Sequence, residues 1–213
     1  MELLGQILGI LISYLLGALP FGIIVTRIAK GVDVRALGSG SSGFTNVYRV
    51  AGIGPGIIVA LLDIGKGIAV VMLVAAGFHT GEFGLSTVHY QIICGCFAVI
   101  GHIFTIFARL KGGKGVLVAL GVCVGLIPIE VVFAVVVFVI VFAIFRYVSA
   151  GSLAAATSLP VILIAEKFVL NREIDTALLV LTLAIACVIF IAHRENIRRL
   201  LRGEENKFSR VKV

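Results

Sequence analysis

Gly38-Ser39-Gly40-Ser41-Ser42-Gly43-Phe44-Thr45-Asn46-Val47-Tyr48-Arg49 is the stretch whose reading decides the fold. It contains the dinucleotide fingerprint G-x-G-x-x-G letter for letter, but that pattern works only between a strand and a helix of a soluble βαβ unit. The neighbours here are apolar runs near 3–25 and 53–77, and about 20 apolar residues suffice to cross a bilayer as a helix. The segment is therefore a loop between membrane spans. Its physics survives the change of context, because small residues let a backbone close around an anion. Ser39, Gly40, Gly43, Thr45 and Asn46 are the candidate binding residues, with Arg49 as a fixed cation. A Gly/Ser run also suits a flexible linker, but a linker has no use for the Thr-Asn-x-x-Arg that ends this one.

Composition agrees. The chain is 60% hydrophobic and 14% charged, against about 25% charged in an average soluble domain, and its mean hydropathy is +1.18. Further apolar runs near 86–108, 113–129, 130–147, 149–169 and 174–192 predict an all-α, polytopic protein of seven spans. Pro128 and Glu130 supply the break between the fourth and fifth, since proline ends a helix and a carboxylate belongs in water. The first run starts at Glu2-Leu3 without an A-x-A-like exit, so it reads as a retained span rather than a cleaved signal. The connections leave no room for a separate soluble domain, and a single domain over 1–213 is expected. Cys94, Cys96, Cys123 and Cys187 fall inside spans and form no C-x-x-C, so neither a disulfide framework nor a metal site is supported. No cofactor is implied.

Lysine and arginine mark cytoplasmic loops. Arg27, Lys30, Arg35 and Arg49, then Arg109, Lys111 and Lys114, then Arg146, then the tail from Arg194 to Lys212 form one set of alternate connections; the other set holds only Lys167 and Arg172. This predicts the N-terminus outside and the C-terminus in the cytoplasm. Each polar cluster falls on the cytoplasmic side. Lys111-Gly112-Gly113-Lys114-Gly115 precedes the fourth span, where a helix N-terminus and Lys114 favour an anion; a pair of lysines snorkelling to headgroups is the alternative. Asp63 and Lys66 share one face of the second span and read as a structural ion pair or as a functional intramembrane pair. His102 taken alone reads as a core histidine and Ser152 as a helix cap. His193 and Asn196 share a face where the seventh span leaves the bilayer, and the arginines beyond them suit a surface helix on anionic membrane lipid rather than on nucleic acid.

G-S-G-x-x-G-x-T-N in the first loop, D-x-x-K-G at 63–67, G-H-x-F at 101–104, K-G-G-K-G-V at 111–116, R-Y-V-S-x-x-S at 146–152 and H-R-E-N-I at 193–197 together resemble the bacterial acyl-phosphate-dependent glycerol-3-phosphate acyltransferases, in order and over nearly the whole chain. The resemblance implies acyl transfer from acyl phosphate to the 1-hydroxyl of sn-glycerol 3-phosphate in the bacterial inner membrane, giving lysophosphatidic acid and phosphate. It implies Lys114, Arg49, His193 and Asn196 as catalytic residues. Ser39, Gly40, Gly43, Thr45, Asn46, Gly112, Gly113 and Ser152 would hold phosphate and substrate, with Asp63, Lys66 and His102 in support. Ser41 stands where the family usually has asparagine, and Phe44, Thr105 and Ala150 where it has alanine, proline and leucine; the last three read as packing changes.

Acyl phosphate is already activated, and no Ser-His-Asp or Cys-His set accompanies these motifs, so direct attack without an acyl-enzyme is expected, with His193 or a substrate phosphate oxygen as the base. A transporter or flippase of a phosphate-bearing solute is the competing class, but its usual inverted repeat is not seen. An acyltransferase with an H-x-x-x-x-D signature is excluded, since Phe107 and Arg198 stand five residues after His102 and His193.

Overall fold

The computed structural model describes residues 2–81 and 84–208. Regular structure among the described residues is helical throughout. The chain divides into two compact units, one running to Leu126 and one over Ile127–Phe208. The first unit holds α1 (Glu2–Ala18), α2 (Phe21–Lys30), α3 (Phe44–Ala51), α4 (Ile53–Ala69), α5 (Ala75–Phe78), α6 (Thr87–Ile103) and α7 (Val116–Leu126). The second holds α8 (Pro128–Phe145), α9 (Val148–Phe168), α10 (Thr176–Ala192) and α11 (Arg194–Leu201).

Five stretches are long and apolar enough to cross a bilayer: Leu3–Lys30, Ile53–Phe78, Thr87–Ala108, Pro128–Phe145 and Val148–Phe168. Thr176–Ala192 with Arg194–Leu201 makes a sixth, bent by 64°. The run expected as a span at 113–129 is different. Its helix has 11 residues, which at about 1.5 Å each cover only roughly half of a hydrocarbon core of about 30 Å. The reason lies in the Lys111–Gly115 stretch, which stays outside the helix because Gly112 and Gly113 are tied to the end of α6. Pro128 does open α8 at its first turn, as its missing N–H allows. Glu130, however, is buried rather than in water, as is Glu166, whose Oε1 pairs with Arg172 Nη1 at 2.8 Å.

Small residues let helices of the first unit approach closely, the usual route to tight packing in lipid. A Cβ on Gly101 would overlap the carbonyl oxygen of Tyr14, and one on Gly121 that of Ile64, so α6 lies on α1 and α7 on α4 at backbone distance. Between α1 and α2, the chain breaks at Leu19-Pro20, which frees carbonyls that no water can satisfy in a bilayer. Side chains close them: Thr105 Oγ1 donates to Ala18 O, and Lys66 Nζ donates to Leu19 O at 3.1 Å. A second irregularity lies between α4 and α5, where the turn widens over Val70–Val74 and Gln91 Nε2 donates to Val71 O at 3.2 Å. Ile23, Val34, Val47, Val50, Val59 and Ala108 form an apolar core under the first loop.

Candidate active site

The first loop is built around Asn46, which is 1% exposed. Its Nδ2 donates to Val34 O (2.9 Å), Leu37 O (3.0 Å) and Ser41 O (2.9 Å), and its Oδ1 accepts from Ser39 N at 2.9 Å. The amide thus does the work of a short sheet, tying four backbone groups to the first turn of α3. Asn46 was expected to offer a donor to ligand; both its hydrogens are instead committed to the loop. Gly38, at φ +60, passes so near that a Cβ would overlap Asn46 Oδ1. Ser41 Oγ accepts from Gly43 N at 3.3 Å, a turn that the asparagine usual here would also form. This leaves Ser39 and Gly40 exposed, and Thr45 and Arg49 half-buried one turn apart on α3, whose inward residues are Asn46, Val47 and Val50.

A clamp not anticipated from sequence holds the loop's near end. Asp33 receives Arg35 Nη2 at 2.8 Å and Nε at 3.1 Å, and Arg35 Nη1 donates to Ala108 O at 2.9 Å. The side-chain hydrogen bonds from Arg35, more than any other cause, lower the Asp33 carboxyl to about 2. Arg35 so bridges the first loop to the turn at Ile106–Ala108, just ahead of Lys111.

Gly112 and Gly113 were expected to hold phosphate ahead of the α7 N-terminus, which leaves their N–H groups facing the ligand. The structure gives those groups to α6 instead: Gly112 N donates to Ile103 O at 3.0 Å and Gly113 N to His102 O at 3.2 Å. The absence of side chains lets the turn sit on His102, because a Cβ on Gly112 would overlap His102 O and one on Gly113 would overlap His102 Nε2. Lys114 follows, half-buried, two residues before α7. Below, Asp63, Lys66 and His102 form one buried cluster, 2%, 4% and 8% exposed. Lys66 Nζ stands 2.9 Å from Asp63 Oδ1 and 3.0 Å from His102 Nδ1. The Asp63 contact is an ion pair rather than an aligned hydrogen bond.

The second unit gathers Ser149, Ser152, His193 and Asn196, all buried. Ser152 Oγ donates to Val148 O at 2.9 Å, so its single hydrogen is spent on its own helix. His193 stands at the bend between α10 and α11, and its Nδ1 lies 2.8 Å from Ile189 O. A carbonyl can only accept, so Nδ1 carries the hydrogen and Nε2 the lone pair of the neutral ring. Asn196 Nδ2 donates to Glu205 Oε1 at 2.7 Å, and the same oxygen accepts from Ser149 Oγ at 3.1 Å. Arg199 Nε donates to Glu205 Oε2 at 2.8 Å. Phe208 N donates to Arg146 O at 3.0 Å, and the Phe208 ring meets Phe142 edge-on at 5.5 Å. The tail therefore folds back on the junction of α8 and α9. Glu205 was missed in the sequence, where its only signal is a carboxylate among cations just after a helix-ending glycine. Among the described residues no group of His, Cys, Asp and Glu could hold a metal ion.

A chain whose described residues form only helices, several of them apolar and of bilayer length, with cations and amides held on the breaks between them, is a multi-pass integral membrane protein. The chain belongs to the glycerol-3-phosphate acyltransferase family, whose model matches residues 7–203. It is similar to the glycerol-3-phosphate acyltransferases of Chlorobium phaeobacteroides, 38% identical with 92% of this chain and 93% of that one covered, and of Chlorobaculum tepidum, 36% identical with 94% and 95% covered. Solved structures of PlsY, an integral membrane glycerol 3-phosphate acyltransferase, are similar in fold. Its glycerol 3-phosphate form has a TM-score of 0.83 at 34% identity over 96% of each chain. Its lysophosphatidic acid form has a TM-score of 0.81 at 34% identity over 96% of this chain and 95% of that one.

Proposed function

We propose that this chain transfers a fatty acyl group from acyl phosphate to the 1-hydroxyl of sn-glycerol 3-phosphate. The observation that carries the reading is the likeness, over 96% of each chain, to a structure described as a glycerol 3-phosphate form. In the reaction the hydroxyl oxygen attacks the acyl carbon, the bond from that carbon to the phosphate oxygen breaks, and inorganic phosphate departs with its electron pair. Arg49 and Lys114 serve as phosphate cations, Arg49 as a fork and Lys114 as a point charge. Ser39 and Thr45 line the first loop's anion face, which Asn46 braces from beneath; Gly40 and Gly43 keep that face clear of side chains, their N–H groups being taken by Leu37 O at 3.2 Å and Ser41 Oγ at 3.3 Å. Ser152 offers lone pairs rather than a hydrogen. His193, with its hydrogen directed to Ile189 O, presents Nε2 as the acceptor for the hydroxyl proton; a phosphate oxygen of a substrate is the other candidate. Asn196 orients the same substrate from its seat on Glu205.

The same reading places the chain in the bacterial inner membrane as one acyltransferase domain, with its chemistry on the cytoplasmic face. It makes Val116–Leu126 a short seventh crossing, which leaves the N-terminus outside, as the distribution of lysine and arginine supports. Purified protein given labelled glycerol 3-phosphate with acyl phosphate, acyl-CoA or acyl carrier protein in turn tests the reaction. Lysophosphatidic acid from acyl phosphate is expected; product from acyl-CoA alone, or none from acyl phosphate, overturns it. His193→Ala with most of its turnover, beside inactive Arg49→Ala and Lys114→Ala, would assign the proton to a substrate oxygen.

A further inference from the structure

We propose that His102 positions the Lys111–Gly115 turn, and that buried Lys66 fixes the His102 ring in the form bearing its hydrogen on Nε2; the inference rests on Lys114 acting as a phosphate cation. Lys66 is an ammonium with three hydrogens and no lone pair. One hydrogen goes to Leu19 O at 3.1 Å, another points at His102 Nδ1 at 3.0 Å, and Asp63 supplies the countercharge at 2.9 Å. A ring nitrogen facing an ammonium at that distance must offer its lone pair, so the neutral ring keeps its hydrogen on Nε2. Asp63 Oδ1 is 3.6 Å from the same nitrogen, too far to hold a hydrogen there.

Three features of α6's end meet the turn. The carbonyl of Ile103 accepts from Gly112, the carbonyl of His102 accepts from Gly113, and the ring of His102 fills the space a side chain at 113 would take. Gly113 thus rests on the Nε2 edge of the imidazole, and Lys114 is the next residue along the chain. A merely adhesive contact requires none of this, since apolar side chains pack a span without an intramembrane ion pair. Loss of Lys66 frees the ring to exchange tautomers, and a lone pair then replaces a hydrogen at the floor of the turn.

Nitrogen-15 spectra of histidine-labelled full-length protein, with the His102 signals assigned by their loss in His102→Gln, test the ring directly. A bare Nδ1 and a protonated Nε2 are expected; a protonated Nδ1 or an imidazolium overturns the inference. The kinetic arm uses Asp63→Asn with Lys66→Met, a pair that removes both charges together and so leaves neither stranded. It is expected to lower kcat for lysophosphatidic acid formation at least tenfold in the His102 protein. Glutamine has no tautomers and carries an amide nitrogen near the Nε2 position, so in the His102→Gln background the same pair is expected to cost less than twofold. Equal losses in both backgrounds mean a purely structural role and overturn the inference, as does no loss in either. Should the unaltered protein make no product at all, the proposed reaction fails, and the ring spectra still decide this inference.

Discussion

Glu205 Oε1 lies 2.7 Å from Asn196 Nδ2, inside a cluster where Ser149 and Arg199 donate to the same carboxylate. One carboxylate satisfies three donors, and it sits where the chain has already left its last helix. Removing one partner of a buried hydrogen bond costs about 1–3 kcal/mol, and Glu205→Ala strands three donors at once. The expected outcome is a clear drop in thermal stability and loss of most activity. Glu205→Gln keeps one acceptor oxygen and is expected to fall between. A melting temperature and turnover for Glu205→Ala equal to those of the unaltered protein would show that the tail is dispensable.

The first loop depends on an amide rather than on any polar residue at 46. Asn46→Asp faces a carboxylate toward the carbonyls of Val34, Leu37 and Ser41, and Gly38→Ala drives a methyl into Oδ1 at a left-handed position. Both changes are expected to open residues 31–43 to protease and to cut activity at least tenfold. Unchanged cleavage and turnover in both would dissociate the loop's shape from function.

Asp33 provides a pH signature. Its folded pKa of about 2 is below the ordinary 3.8, chiefly through the side-chain hydrogen bonds from Arg35. A depressed carboxylate contributes stability that is whole above pH ~4 and disappears as pH falls through about 2. Asp33→Asn is therefore expected to melt lower than the unaltered protein at pH 7, with the gap narrowing between pH 4 and 2. A gap independent of pH over that range would mean the clamp is not electrostatic.

Two glycines separate close packing from mere smallness. A Cβ on Gly121 would overlap Ile64 O, whereas one on Gly65 meets nothing within 4 Å. Gly65→Ala is expected to leave the protein as stable or up to about 1 kcal/mol more so, because alanine restricts the unfolded chain. Gly121→Ala is expected to lower the melting temperature markedly. If the two variants melt alike, α4 and α7 do not meet at backbone distance.

Apolar periodicity carries most of this fold, since helices in lipid must satisfy their own backbones and announce themselves by length. The helix at Val116–Leu126 escapes that rule. Its apolar run is long enough, but the glycines before it are bound to α6, a long-range fact that no local pattern contains. The site was legible as residue types and only partly as roles. Asn46, Gly112, Gly113 and Ser152 look like phosphate donors because their groups can donate; the hydrogens of the first three are taken by carbonyls that only folding brings near, and that of Ser152 by the carbonyl one turn back in its own helix. Thr105 shows the converse. Its φ of −67 is what the family's usual proline would impose, and its hydroxyl, read as a packing change, closes Ala18 O.

The broken first helix also bears on how the chain is assembled. Ala18 O and Leu19 O are closed by Thr105 and Lys66, residues 87 and 47 positions further along the chain. Until the ribosome has delivered them, those oxygens must borrow water or lipid headgroups, each at a cost of several kcal/mol if left dry. The α1–α2 break therefore settles only once later helices pack against it, and a chain truncated between α4 and α6 is expected to keep Ala18 within reach of aqueous labels that the finished protein excludes.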